Sequence, residues 1–288
     1  MPNPVTQNIQ WRRRATNWLA LGVITFFALI VTVPLFLILG TVVKNGITEL
    51  NWAFLTQIPV PVGETGGGMA NAIVGTLMLL VVASAIGIPL GIGSGVFLAE
   101  YGRNMYGNAV RFTADVLNGV PSIVIGATAW ALVVATQKHF SLFAGSVALG
   151  IMMIPVIART TEEVLLLVPQ SIREAAFGLG IPQWRTTLSV VIPTASSGII
   201  TSIMLAFARI AGETAPLMFT ALGNEFWSFK LNQPVAAMPL QIFKYATMPY
   251  DQAHRQAWTG ALVLITIIMG TVIIFRAVAS RGVLKGTN

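Results

Sequence analysis

Charged positions are so sparse along this chain that the gaps between them mark its elements. Residues 1–14 are polar and end in Arg12-Arg13-Arg14; the next charge is Lys44, which leaves 29 uncharged residues rich in Val, Leu, Ile and Phe. About 20 apolar residues carry a helix across a bilayer core. The stretch is too long for a signal-peptide core and lacks a small-residue cleavage site, so it predicts a retained first span with Pro34 as its kink point. Residues 65–99 add 35 uncharged positions, enough for a second, tilted span. Further spans are predicted over about 114–137, 140–158, from after Arg185 into Arg209, and 256–275. Between them lie two large loops, 44–68 with a short amphipathic piece near Trp52, and 222–255 with Pro234, Pro239 and Pro249. The pattern is that of an all-α integral membrane protein with six transmembrane helices.

The second span carries Gly87, Gly91, Gly93 and Gly95 around Pro89 and Ser94. Small residues let membrane helices approach closely, whereas a broken helix there would line a solute path; close packing is the expectation.

Composition agrees with the pattern. Of 288 residues, 55% are hydrophobic and 9% charged, where a soluble domain carries about a quarter charged. There is no cysteine, which excludes disulfides and thiolate metal sites. The net charge of +7 would suit nucleic acid, but its distribution answers to topology instead. Six spans put both termini on one side. That side holds eleven Lys and Arg (positions 12, 13, 14, 103, 111, 159, 173, 185, 276, 281, 285) against five opposite (44, 138, 230, 244, 255), with Arg209 in the membrane making 17. The positive-inside rule therefore places both termini and the interval between Arg159 and Arg185 in the cytoplasm. Gly66-Gly67-Gly68 is followed by no GK[ST], so ATP chemistry must belong to a partner. Both histidines, His139 and His254, fall in outer loops, which disfavours an intramembrane hydrolase.

The interval 159–185 is the best-charged stretch between spans. Ser171 is a candidate N-cap after Pro169; Gly178 and Gly180 then loosen the chain, and Pro182 stops a simple continuation. Two short helices meeting at a glycine turn make a compact docking knob. Its spacing, Glu174-Ala175-Ala176, Gly180, then Val190-Val191-Ile192-Pro193, resembles the EAA loop of ABC-importer permeases, departing conservatively at two positions of the closing Ile-x-Leu-Pro. The alternative is an ordinary amphipathic inter-span loop. Small Ala175 and Ala176 would let a partner's groove approach the helix, and Gly180 would permit the sharp turn.

A second candidate site is Arg209-Ile210-Ala211-Gly212-Glu213-Thr214-Ala215-Pro216. Four apart on a continuous helix, Arg209 and Glu213 would share a face and pair. Charges at membrane depth cost about 2.5–3.5 kcal/mol each on insertion scales, so they are seldom idle. One reading is a neutralised structural pair. The other is a site on the path of a tetrahedral oxyanion, which guanidinium suits, with Gly212 and Pro216 loosening the helix. Asp115 is shallower and is expected near a helix N-terminus.

RIAGETAP at 209–216, Gly119-Val120-Pro121-Ser122-Ile123-Val124-Ile125-Gly126, Phe97-Leu98-Ala99-Glu100-Tyr101-Gly102 and Pro239-Leu240-Gln241-Ile242-Phe243 with Ala257-Trp258 together resemble the phosphate ABC permeases, closer to the PstA than to the PstC branch, over nearly the whole chain. The resemblance implies a type I (MetI-like) six-span permease bundle, over 69–280. Before it come a tail, the first span and a periplasmic loop at 1–68, and a cytoplasmic tail at 281–288 follows. It implies a coupling loop at 159–187 (Glu174, Ala175, Ala176, Gly180, Pro193) and a solute path at Arg209, Glu213, Thr214 and Asp115. The implied partners are a sister permease (PstC-like), a homodimeric ATPase (PstB-like) holding ATP and Mg, and a periplasmic phosphate-binding protein (PstS-like). No cofactor is expected on this chain, which would sit in the bacterial inner membrane. The sister permease itself, or a carrier of sulfate or molybdate, is the alternative.

Overall fold

The computed structural model describes residues 4–61, 64 and 66–284, so residues 285–288 of the expected tail lie outside it. Among the described residues the regular elements are all helices, with one isolated bridge between Leu222 and Val235. A long helix α1 (Pro4–Gly46) precedes a one-turn α2 (Trp52–Thr56), whose N-cap Asn51 accepts from the Phe54 N–H. Then come α3 (Ala70–Glu100), α4 (Met105–Gly119), α5 (Ser122–Gln137), α6 (Leu142–Leu166) and α7 (Gln170–Gly178). The order continues with α8 (Gln183–Thr194), α9 (Ser196–Ala211), α10 (Ala215–Thr220), α11 (Met238–Ala246) and α12 (Asp251–Leu284).

Four helices, α1, α3, α6 and α12, are each long and apolar enough to cross a membrane, and the number is six if each of two bent pairs is one span. The first pair, α4 with α5, turns through 107° at Val120-Pro121; the second, α8 with α9, through 72° at Ala195. Proline explains both. Pro121 forces Val120 into an extended conformation (φ −70°, ψ 131°), and Pro193 cannot donate to the helix ladder. A π-helical turn over Thr187–Val191 absorbs the misfit just before Pro193. The third expected span, over about 114–137, is thus broken at Val120-Pro121, its first residues lying in α4 and the rest in α5. The fourth runs on past Ala158 to Leu166, and the last helix starts at Asp251, five residues before the expected Gln256.

The core is the contact of α3 with α6. Gly87, Gly91 and Gly95 lie on one face of α3, and a Cβ on them would sit 2.8, 2.7 and 2.6 Å from the side chains of Met153, Ile157 and Thr161. Helix α3 stays continuous through Pro89, so the glycine stretch serves close packing and not a broken helix. Around this seam Leu79, Ala83, Leu149 and Met153 bury together with Phe207, Ile210 and Leu217 of the α9–α10 segment. The end opposite α7 is closed by loop 221–237. The first N–H groups of α6, which have no intrahelical partner, are answered there: Ser141, Leu142 and Phe143 donate to the carbonyls of Thr220, Gln233 and Leu231. Helix α1 touches the rest chiefly through α12, where Thr259 donates to the Gly46 carbonyl.

Candidate functional site

Two regions answer to the sequence candidates: a break in the α9–α10 segment at membrane depth, and the knob at the end of α6. The break comes first. Helix α9 ends at Ala211, and Gly212, Glu213 and Thr214 separate it from α10. Arg209 and Glu213 are therefore not on one continuous helix, and no ion pair joins them among the described residues. The expected shared face is lost because the chain unwinds at Gly212. Arg209 is exposed, Glu213 and Thr214 half-buried.

Their depth follows from packing. Gly198 abuts Val164 at one end of α6, and Ala221 abuts Gly145 at the other. Arg209 lies midway between residues 198 and 221, so it stands level with the middle of α6. Just past the break, α10 packs on α5: a Cβ on Gly126 would lie 2.6 Å from Pro216 Cα. The Gly119–Gly126 and Arg209–Pro216 motifs, 90 residues apart in the chain, thus meet at their far ends, where α5 packs on α10. An exposed guanidinium at this height cannot face hydrocarbon cheaply; it must face water or protein.

Asp115 belongs elsewhere. It lies in the last turns of α4, not near a helix N-terminus, and its carboxylate takes the Arg159 Nε at 2.9 Å. Arg159 also donates to Glu162 Oε2 at 2.5 Å, and Arg111 donates to Glu162 Oε1 at 2.6 Å. Glu162 is buried and is held by the two arginines. Arg111 further donates to the Leu98 and Gly102 carbonyls at 2.9 and 2.8 Å, closing the C-terminus of α3.

The knob is built on the same logic. Arg173 of α7 donates to the Leu165 and Val168 carbonyls at 2.8 and 2.5 Å, satisfying the end of α6, and to Glu100 Oε1 at 2.8 Å. Gln183 donates to the Glu100 carbonyl at 3.1 Å. One residue at the end of α3 therefore anchors both arms of the knob. Helix α7 starts at Gln170 after Pro169, with no side-chain cap, so Ser171 is not its N-cap; Pro169 supplies the preset φ instead. It ends in a Schellman motif: the Ile181 N–H reaches the Ala176 carbonyl at 3.2 Å, and the Gly180 N–H reaches Phe177 at 2.9 Å. Gly180 holds the required left-handed conformation, φ 77°. Ala176 is buried under the motif, so it is not presented to a partner; Glu174 and Ala175 are exposed, with Leu179 80% and Trp184 61% exposed beside them. Pro193 is exposed in the last turn of α8, where it marks the bend.

Sequence reasoning missed Glu100, Arg111, Arg159, Glu162 and Arg173 as a set. The signal was present in Arg159 and Glu162, spaced to share a helix face at the end of a span.

Residues 87–284 match the family described as the binding-protein-dependent transport system inner membrane component. The chain belongs to this family. Within it the relatives are of the PstA branch. The phosphate transport system permease protein PstA of Yersinia pestis is 43% identical over 272 residues, 94% of this chain and 92% of that protein. The protein of the same name from Xylella fastidiosa strain Temecula1 is 41% identical over 98% of this chain and 99% of its own length. Among solved structures, a chain of the MetNI methionine ABC transporter in an inward-facing conformation superposes with a TM-score of 0.58 at 19% identity, covering 76% of this chain and 98% of that one. That likeness shows the fold alone. This PstA-branch chain is thus an all-helical, multi-pass inner-membrane permease subunit of an ABC transporter, with the MetI-like fold.

Proposed function

We propose that the chain is one permease subunit of an ATP-driven importer that carries inorganic phosphate across the inner membrane, and that Arg209 meets the anion midway. The observation that carries this reading is an exposed arginine with no ionic partner among the described residues, level with the middle of α6, at a helix break. A guanidinium offers forked donors that match a tetrahedral oxyanion, and a site left open toward a partner subunit gives the anion a way in. Thr214 and Glu213 stand at the same break. A monohydrogen phosphate can donate its proton to Glu213, which a fully ionised sulfate cannot. Asp115 serves the reading less directly, as the exposed end of the Arg159 cluster. The names of the PstA relatives agree with phosphate as cargo.

In this reading the exposed Glu174–Gly180 surface couples to a PstB-like ATPase homodimer, which holds the ATP and Mg. A PstC-like sister permease completes the path, and a PstS-like periplasmic protein delivers the anion. Both termini are cytoplasmic, by the distribution of Lys and Arg. Competition of unlabelled phosphate, sulfate and molybdate against labelled phosphate in proteoliposomes bearing the whole complex tests the cargo. Phosphate alone is expected to compete fully; equal competition by sulfate would make the chain a general oxyanion permease.

A further inference from the structure

Helix α4 carries an apolar stripe that this chain leaves uncovered. One face of the helix is packed: Gly107 abuts the Gly102 carbonyl, Ala114 is buried, and Arg111 is tied to Glu162. On the opposite face Met105, Ala109, Phe112 and Val116 recur at helical spacing and stand exposed, Met105 by 87% and Phe112 by 71%. The two flanks differ. Tyr106, Thr113 and Leu117 extend the stripe on one side, where the Thr113 hydroxyl is satisfied by the Ala109 carbonyl. Asn108 and Asp115 make the other side polar, bonded to Arg111 and Arg159.

The depth of the stripe is set by α6. Its first charge, Arg159, comes about 26 Å along from Leu142 at 1.5 Å per residue, close to the ~30 Å of a hydrocarbon core. Asp115 binds Arg159 at 2.9 Å, so α4 lies where hydrocarbon gives way to headgroups on the knob side. Helix α5 leaves α4 at 107° and climbs about 24 Å over Ser122–Gln137. With α5 crossing the bilayer, α4 runs nearly along its plane.

Direction and charge narrow the occupant. Glu162 of α6 faces α4, whereas Val164, two positions on and so nearly half-way round the helix, meets Gly198 of α9. Helices α4 and α9 thus flank α6 on opposite sides. The exposed face of α9, which carries Arg209, is the one offered to a sister subunit, and the α4 stripe points the other way; this step rests on the permease reading above. Arg103, two residues before Met105, is exposed and makes no ion pair among the described residues, so a cation stands at headgroup level beside the stripe. We propose that α4 is an interfacial helix seated in the leaflet on the knob side, with Met105, Phe112 and Val116 among acyl chains and Arg103 on the headgroup of an anionic phospholipid. Helices with an apolar face and a polar flank lie in this plane, and cations near a bilayer surface draw anionic lipid. Because Arg111 ties α4 to Glu162, the lipid braces the charge cluster beside the knob.

The test reads contact and not transport. In the assembled complex in nanodiscs, with Phe112→Cys supplying its only cysteine, a bimane label is quenched by nitroxide-bearing lipid or by aqueous iodide. Lipid nitroxide is expected to quench strongly and iodide weakly. Met105→Cys should give the same pattern, and Asn108→Cys, on the polar flank, should reverse it. With the label at Phe112→Cys, nitroxide-bearing phosphatidylglycerol should quench more than the phosphatidylcholine analogue at equal mole fraction, by up to about fivefold, the weight of one cation at a bilayer surface. Arg103→Gln should bring the two lipids level. Protection of that label from both quenchers would mean that a protein covers the stripe, and strong quenching by iodide would mean that water does; either result overturns the proposal, whatever the cargo proves to be. No preference between the two lipids, or a preference untouched by Arg103→Gln, would overturn the headgroup contact.

Discussion

Arg173 and Glu100 meet at 2.8 Å although 73 residues separate them, and both side chains are almost entirely buried. This pair, with the Gln183 bond to the Glu100 carbonyl, fixes the knob to the end of α3, which in turn packs along the length of α6. Both arms of the knob thus share one anchor beside the central helix pair.

Removing one member strands the other. Arg173→Ala leaves the Glu100 carboxylate buried and also orphans the Leu165 and Val168 carbonyls, at a cost of about 3–5 kcal/mol. A large fall in the melting temperature of the purified complex is expected. Coupled ATP hydrolysis should fall with it. An unchanged melting temperature would mean that the knob is held by other contacts.

Gly180 offers a cleaner separation of strain from space. A Cβ there would meet nothing within 4 Å, so only the φ of 77° resists substitution. Left-handed backbone costs an L-residue about 1–2 kcal/mol, more for β-branched side chains and less for Asn. Gly180→Val should impair stimulation of the ATPase while insertion proceeds, and Gly180→Asn should retain most of it. Equal behaviour of the two variants would remove the Schellman turn from the coupling step.

The glycine seam can be tested against its own helix. Gly91→Val would force side-chain atoms into Ile157 and should lower thermal stability sharply. Gly93, on the same helix, faces open space, and Gly93→Ala should be neutral or stabilise by up to about 1 kcal/mol through helix propensity. Thermal melting of both variants in detergent reads the difference directly.

Much of this was legible in the residues. Long uncharged runs fixed the spans because a bilayer admits little else, and the positive φ at Gly180 follows from a glycine placed just past a helix. Interactions across sequence distance were not legible. Arg173 looked like a neighbour of the motif glutamate, but helix register turns it inward to Glu100 and turns Glu174 outward. The same register buries Ala176 and exposes Ala175. The helical spacing of Arg209 and Glu213 assumed a helix that Gly212 ends, and the right-angle turn at Pro121 moved Asp115 into the Arg159 cluster.

Topology provides a further check. The chain has no cysteine of its own, so single substitutions report cleanly. Gln183→Cys should be shielded from impermeant thiol reagents in intact cells, whereas Gln57→Cys and Asn232→Cys should label. Labelling of Gln183→Cys from outside would invert the assigned orientation.

The central claim is that Arg209 meets the anion at the middle of the membrane. Because no ionic partner among the described residues depends on it, Arg209→Ala should assemble and melt like the native complex, and Arg209→Ala with Glu213→Ala should not recover what the first change removes. Arg209→Lys keeps the charge but loses the fork and should be impaired as well. The deciding measurement is ATP-dependent uptake of labelled phosphate by proteoliposomes carrying the complete complex with Arg209→Ala. Loss of uptake with assembly and melting unchanged is the predicted result; uptake at the native rate would contradict the account.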